Sequence, residues 1–223
     1  MIKVWGRPDG SNVIKAMWCI GELGIEYERI DWGGKFGGND DPAYRAKNPN
    51  GRLPTIEEED GWCVWESGAV IRYLSAKYSM GDLYPEDLRA RADADRWMDW
   101  SSLNMAGFNG VYLDSFFRLP AEQRDIKKVE EAVKKSIPWY DILDKQLEGR
   151  DYICGDKLTI GDIPAGALTH RWMTWTPSSA SLMAKRSAPS WPPRWMRPRQ
   201  GCSSASASTG RPPRRRARAW RSV

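Results

Sequence analysis

Short apolar runs and one helical stripe follow each other near the start of the chain. The run Ile2–Trp5 ends in glycine and proline, which predicts a strand. A stripe of apolar residues at helical spacing follows and stops at Gly24, so a helix is predicted with Ser11 or Asn12 as its N-cap. The stripe consists of Val13, Ile14, Met17, Trp18 and Leu23. Tyr27–Ile30 predicts a second strand, and the three elements together indicate a βαβ unit with parallel strands.

A hairpin and a helix complete this part of the chain. The runs Thr55–Glu58 and Cys63–Trp65 flank Asp60-Gly61, which is a strong hairpin pattern. Glu66-Ser67 then opens a helix with apolar residues on one face, and the segment Trp32–Pro42 is predicted to be a loop. Residues 1–80 therefore read as βαβ followed by ββα, a small α/β domain with a mixed sheet.

Helical patterns replace strand patterns from Glu86 onward. Leu88–Phe117 predicts one long helix, and Pro120–Leu147 predicts another with Pro138 as a kink. The apolar stripe of the second helix is Ile126, Val129, Val133, Ile137, Tyr140 and Leu147. Thr159 and Asp162 have the spacing of a capping box at the start of a further helix. We expect an all-helical domain over residues 86–172.

The last fifty residues have a different composition. Residues 171–223 contain 12 Lys and Arg and no acid, so the preceding 170 residues contain 22 basic and 29 acidic residues and are mildly acidic. Residues 173–223 show neither an apolar period nor the composition of a core. Two interpretations are open: a basic disordered tail that binds nucleic acid or a membrane surface, or a reading-frame slip in a GC-rich gene. The high content of Arg, Pro, Ser, Ala and Trp in this segment favours the reading-frame slip.

The remaining composition argues for a protein of the reducing cytosol. The four cysteines, Cys19, Cys63, Cys154 and Cys202, form neither a CxxC motif nor a zinc-type spacing, and no metal is expected. The N-terminus does not resemble a signal peptide, and no apolar run approaches the ~18–20 residues of a membrane span. We expect a cytoplasmic protein without a membrane partner. Nucleic acid is a candidate partner only through the Arg-rich tail.

Pro54 occupies an unusual place at the entry to a predicted strand. A proline cannot donate to a strand ladder, so it must set a turn there. A cis Leu53–Pro54 bond would direct the N–H and C=O of Leu53 outward. Those two groups can then pair with the backbone of a short extended peptide, in the manner of an added strand.

The segments around this proline and the following helix resemble a known family. Asn48–Ile56 is similar to the N-P-x-G-x-V/I/L-P turn of cytosolic glutathione S-transferases of bacterial, theta or beta type, and Glu66–Leu74 to their E-S-x-A-I-x-x-Y-L helix start. In the second half, Arg91–Trp100 and Tyr152–Ile163 resemble recurrent segments of the same family. The resemblance covers residues 1 to about 172 and implies a thioredoxin-like N-terminal domain followed by a helical domain.

The resemblance also implies site residues. Leu53 holds the cysteinyl unit of glutathione next to Pro54. Glu66 accepts from the γ-glutamyl ammonium, and Ser67 donates to the γ-glutamyl carboxylate at the helix N-terminus. Arg52 and Lys35 are candidates for the glycyl carboxylate, although a solvated surface charge is the favoured interpretation of each. For Glu66 and Ser67 a simple helix cap is the competing interpretation.

A donor to the thiol of glutathione is expected at the start of the first helix. The loop contains neither Cys nor Tyr, so Ser11 is the first candidate and Asn12 the second. An alignment through Gly24–Glu28, however, places Gly10 where theta-like relatives carry their serine. The catalytic donor is therefore left open between the two residues.

The implied activity is conjugation of the glutathione thiolate to a small electrophile, as in detoxification. Glutathione acts as co-substrate, and the family is typically homodimeric. Two alternatives stay open: a glutathione-dependent disulfide reductase on the same fold, and a non-catalytic glutathione-binding protein. The second alternative gains support from the abnormal C-terminus, since a truncated helical domain exposes apolar surface.

Overall fold

The computed structural model describes residues 1–113 and 119–175. The strands are β1 (Ile2–Trp5), β2 (Tyr27–Ile30), β3 (Thr55–Glu57) and β4 (Cys63–Trp65). The α-helices are α1 (Ser11–Leu23), α2 (Pro42–Lys47), α3 (Ser67–Ser79), α4 (Leu88–Leu113), α5 (Ile126–Gln146) and α6 (Asp162–Trp175), and short 3₁₀ turns cover Gly34–Phe36 and Ala121–Gln123. Apart from residues 173–175, which belong to α6, the predicted tail 173–223 lies outside the described residues.

The four strands form the predicted mixed sheet in the order β2-β1-β3-β4. β1 pairs with β2 in parallel and with β3 antiparallel, and β3 pairs with β4 antiparallel across the predicted hairpin. Val4 of β1 lies opposite Ile56 of β3, and both side chains are fully buried. In the described part of the chain this sheet is followed by helices, which confirms the α/β plus all-α fold class.

Helices α1 and α3 pack against each other side by side. The thiol of Cys19 lies 3.9 Å from the Ile71 carbonyl oxygen and 3.4 Å from the Ser75 hydroxyl. β1 and β4 both run antiparallel to β3, so they run in the same direction, and α1 and α3 are the helices that follow them along the chain. The N-termini of α1 and α3 therefore lie at the same end of the sheet. Burial raises the pKa of Cys19 to about 12, so this thiol is a core residue and not a nucleophile.

The helical half packs onto these two helices. Ala94 and Met98 of α4 and Ile163 of α6 share one buried cluster with Ile71 and Leu74 of α3. A polar link lies at the same junction. It joins Arg72 of α3 to the carboxylates of Asp95 and Asp99 on α4, each at 2.6 Å, and Tyr84 donates to Asp95 at 3.1 Å.

The two long helices predicted after Glu86 are present, and their ends differ from the predicted ranges. α4 is described to Leu113, and the rest of its predicted range, to Phe117, lies outside the described residues. The predicted stripe of α5 is buried at Val129, Val133 and Tyr140. Ile126 is half exposed because it is the first residue of the helix. No helix among residues 1–113 and 119–175 is long and apolar enough to cross a membrane.

Helix α2 was not predicted, although its start carries a local signal. Asp41 is its N-cap and accepts from the backbone N–H groups of Ala43 at 2.7 Å and Tyr44 at 3.4 Å. Pro42 follows at the first helical position, where its missing N–H costs nothing. The helix has six residues and one buried side chain, Tyr44, so it is too short for a periodic pattern.

Candidate functional site

The turn before β3 is held by two buried side chains from α2 and the residue after it. The Tyr44 hydroxyl donates to the Arg52 carbonyl at 2.7 Å, and the Asn48 side-chain amide donates to the same oxygen at 2.9 Å. Asn48 also donates to the Thr55 hydroxyl at 3.0 Å. The backbone on both sides of Leu53 is thereby fixed from the protein interior.

Leu53–Pro54 is a cis peptide bond, which is the geometry that the sequence argument considered for this turn. Among the described residues, no hydrogen bond reaches the backbone N–H or C=O of Leu53, in agreement with the expectation that both groups face outward. The Leu53 side chain packs against Gly33, where an added Cβ would overlap with Leu53 Cδ1. Residue 33 also has a φ of +79°, which glycine adopts without the steric cost that a Cβ brings.

The start of α3 has an unusual backbone. Glu66 is the N-cap, with φ 69° and ψ 118°, and its exposed side chain makes no capping hydrogen bond. A positive φ in a non-glycine residue costs about 1–3 kcal/mol and is concentrated at functional sites. Ser67, the first helical residue, is buried. The first-turn N–H groups of a helix lack intrahelical partners and favour an anion at this end.

The N-cap of α1 differs from the prediction. The cap is Gly10, with an extended backbone, and no side chain caps the helix; Ser11 and Asn12 are instead its first two helical residues. A Cβ at residue 10 would lie 2.9 Å from Val13 Cγ2, so the Val13 side chain occupies the space that a capping side chain needs. Ser11 is half-buried and Asn12 is exposed.

The strand register brings these segments to one edge of the sheet. Trp5 at the end of β1 is paired with Thr55 at the start of β3, and Thr55 is paired with Trp65 at the end of β4. The segments that continue from these positions are the loop into α1, the Leu53–Pro54 turn and the Glu66–Ser67 start of α3. They therefore converge on one edge, where two helix N-termini and an unpaired backbone segment meet.

The other sequence candidates lie elsewhere or contribute less. Arg52 has an exposed side chain, and its carbonyl is the part that the fold uses. Lys35 is exposed, with its ammonium 5.0 Å from the ring centre of Phe36. Trp97 and Met105 of α4 are buried in the core of the helical half.

Sequence reasoning missed Lys15, Tyr44 and Asn48. Lys15 is only 2% exposed, on the face of α1 that lies toward α3. Its position within an otherwise apolar helix was the available signal. Asn48 is the first residue of the family motif around Pro54. It shares the Arg52 carbonyl as an acceptor with the buried Tyr44, and the sequence pattern does not connect these two residues.

Comparison with known proteins matches two parts of the chain to one family. Residues 1–76 match the family described as "Glutathione S-transferase, N-terminal domain", and residues 111–181 match "Glutathione S-transferase, C-terminal domain". The chain is 34% identical over 182 residues to "Glutathione S-transferase GstB" of Escherichia coli strain K12, which covers 79% of this chain and 88% of that protein.

Two solved structures extend the match. The theta-class glutathione S-transferase of Xanthomonas axonopodis pv. citri, solved with glutathione bound, is similar with a TM-score of 0.74 at 38% identity, covering 82% of this chain and 91% of that one. A glutathione S-transferase of Pseudomonas fluorescens is similar with a TM-score of 0.68 at 26% identity, covering 82% and 93%. With its sheet, its cis-proline turn and both domain matches, the chain belongs to the glutathione S-transferase family.

Proposed function

We propose that this protein is a glutathione transferase that conjugates the thiolate of bound glutathione to an electrophilic carbon. The observation that carries the proposal is the convergence of Leu53, Glu66-Ser67 and the start of α1 on one edge of the sheet. Each of these three segments carries a group that can bind a different part of the tripeptide. The activity agrees with that of the family.

The peptide is bound along this edge. The unpaired N–H and C=O of Leu53, set by the cis bond to Pro54, pair with the cysteinyl backbone of glutathione. Ser67 and the first N–H groups of α3 bind the γ-glutamyl carboxylate, and Glu66 accepts from the γ-glutamyl ammonium. Arg52, exposed beside the turn, interacts with the glycyl carboxylate.

The thiol then lies at the N-terminus of α1. A thiol with a pKa of ~8.5 is mostly protonated at neutral pH, and a helix N-terminus and a hydrogen-bond donor both favour the thiolate. Ser11 or Asn12 supplies the donor, because the Gly10 cap has no side chain to do so. Holding the thiolate beside the electrophile adds proximity to this activation.

Glutathione is the co-substrate and a small electrophile the second substrate. In the described part of the chain, no group of three or more His, Cys, Asp or Glu residues is placed to hold a metal ion. A homodimer in the cytoplasm is the form that the family suggests. One observation keeps disulfide reduction as a second candidate: the loop from Gly6 to Asn12 contains no Tyr.

Two substrates separate the candidate functions. The full-length protein is expected to conjugate glutathione to chlorodinitrobenzene faster than it reduces hydroxyethyl disulfide with glutathione. Reduction of the disulfide without conjugation would identify the reductase. Binding of glutathione without either reaction would identify a non-catalytic member of the family.

A further inference from the structure

Arg7 is a largely buried cation beside the start of α1 that the proposed reaction does not use. It lies in the loop between β1 and α1, and its side chain is 24% exposed. A turn fixes the backbone of this loop, because the Gly10 N–H donates to the Arg7 carbonyl at 3.2 Å. The stem of the side chain packs against the N-cap of α1, where a Cβ at Gly10 would lie 3.5 Å from Arg7 Cγ. The side chain therefore starts at the helix end that the proposed function assigns to the thiol of glutathione.

The guanidinium of Arg7 extends from α1 to the loop that follows β2. A Cβ at Gly34 would lie 3.1 Å from both Cδ and Cζ of Arg7 and would overlap with Nη1, so the guanidinium lies against the bare backbone of Gly34. The preceding residue, Gly33, packs against the Leu53 side chain. Arg7 is thereby placed at the same edge of the sheet as the start of α1 and the Leu53 turn.

The outer nitrogens of this guanidinium are available to a ligand. Nε lies 3.5 Å from Oδ1 of Asp9, an exposed carboxylate, and within residues 1–113 and 119–175 no acceptor is hydrogen-bonded to Nη1 or Nη2. A guanidinium presents its N–H groups as a planar fork that matches a carboxylate. In the proposed function the backbone and both carboxylates of glutathione already have partners. A carboxylate that binds Arg7 then belongs to the second substrate, which must lie beside the thiolate.

We propose that Arg7 binds a carboxylate on the electrophile, and that the preferred second substrates are small molecules with a carboxylate close to the reactive carbon, such as α-halocarboxylates. This inference rests on the proposed function. A thiolate and an anionic electrophile repel each other, and the repulsion grows where water is excluded. The positive charge of Arg7 offsets this repulsion and favours an anion over its neutral counterpart.

The reaction with such a substrate is a displacement. The thiol proton passes to solvent when the thiolate forms. The sulfur then bonds to the carbon that carries the halogen, and the carbon–halogen bond breaks as the halide leaves with its electron pair. The carboxylate takes no part in bond making or breaking, so Arg7 acts by binding and orienting the electrophile.

A matched pair of electrophiles tests this role. Iodoacetate and iodoacetamide have the same leaving group and differ in charge. Their kcat/KM values are measured at neutral pH, after subtraction of the uncatalysed reaction with glutathione, for the full-length wild type, Arg7→Gln and Arg7→Lys. Arg150→Gln, at an exposed site after α5, is the matched control. Calorimetry measures the binding of glutathione and of its glycyl amide to the same proteins.

We expect Arg7→Gln to lower kcat/KM about thirtyfold for iodoacetate and less than about threefold for iodoacetamide, because a charge-assisted pair is lost only with the carboxylate. Arg7→Lys keeps the charge without the fork and should lie between the wild type and Arg7→Gln with iodoacetate. Arg150→Gln should match the wild type with both electrophiles. The wild type should also bind S-carboxymethylglutathione about tenfold more tightly than S-carbamoylmethylglutathione, a test that holds if Arg7→Gln does not fold.

Equal losses for iodoacetate and iodoacetamide in Arg7→Gln, or equal wild-type affinities for the two conjugates, would overturn the inference. Weaker binding of glutathione to Arg7→Gln with unchanged binding of the glycyl amide would also overturn it, since Arg7 would then hold the glycyl carboxylate. Failure of the wild type to conjugate glutathione to chlorodinitrobenzene, iodoacetate or iodoacetamide would instead overturn the proposed function, and this inference with it.

Discussion

Replacement of Asp162 by Ala is expected to lower the free energy of unfolding by about 3 kcal/mol or more. The Asp162 carboxylate is completely buried at the start of α6. It accepts from the backbone N–H of Ile153 at 2.8 Å, and from the N–H and hydroxyl of Thr159 at 3.0 and 3.2 Å. Alanine leaves all three donors buried without a partner. Urea unfolding followed by circular dichroism measures the change.

Two variants show whether the loss comes from these bonds. Asp156→Ala, at an exposed site of the same segment, should change stability by less than about 0.5 kcal/mol. Asp162→Asn keeps one acceptor oxygen and should fall between Asp162→Ala and the wild type. Burial raises the pKa of Asp162 to about 6, so the comparison belongs at pH ~8, where the group is ionised. An unchanged unfolding midpoint in Asp162→Ala would contradict the assigned role.

Removal of the correct donor at the start of α1 is expected to lower kcat for conjugation about a hundredfold, with a small change in glutathione affinity. The candidates are Ser11 and Asn12, the first two residues of the helix. The donor stabilises charge on the sulfur, whereas most of the peptide is held by other segments. Steady-state kinetics with chlorodinitrobenzene and calorimetry with glutathione measure the two quantities for Ser11→Ala and Asn12→Ala.

Each variant serves as the control for the other, because both remove one polar side chain from the same helical turn. We expect one variant to lose activity and the other to keep most of it. Two variants as active as the wild type would contradict a side-chain donor at this position and would leave the backbone of α1 as the source of activation. The glutathione site around Leu53 would be unaffected by that result.

Local patterns were sufficient to predict much of the fold. The hairpin at Asp60-Gly61 depends on residues close in sequence, and the structure contains it. The capping box was predicted only in part: Thr159 donates to the Asp162 carboxylate, but Asp162 is the first residue of α6 and not its third. The sequence pattern also located the start of α3, because Glu66-Ser67 carries the family motif.

The errors concern features set by distant contacts. The sequence predicted Ser11 or Asn12 as the N-cap of α1, whereas the N-cap is Gly10. The Val13 side chain occupies the space that a larger capping side chain at residue 10 would need, and the sequence pattern does not show this contact. Lys15 was passed over because its burial depends on α3 packing over α1. The convergence of the site segments follows from a strand register that no single segment encodes.

The titration of glutathione bound to the protein tests the central claim most directly. The thiolate absorbs in the near ultraviolet, so its appearance can be followed against pH with the full-length protein, using S-methylglutathione as the blank. If the thiol is bound at the N-terminus of α1 beside a donor, its pKa should fall from ~8.5 to below ~7.5. A bound thiol that titrates like free glutathione would contradict the account.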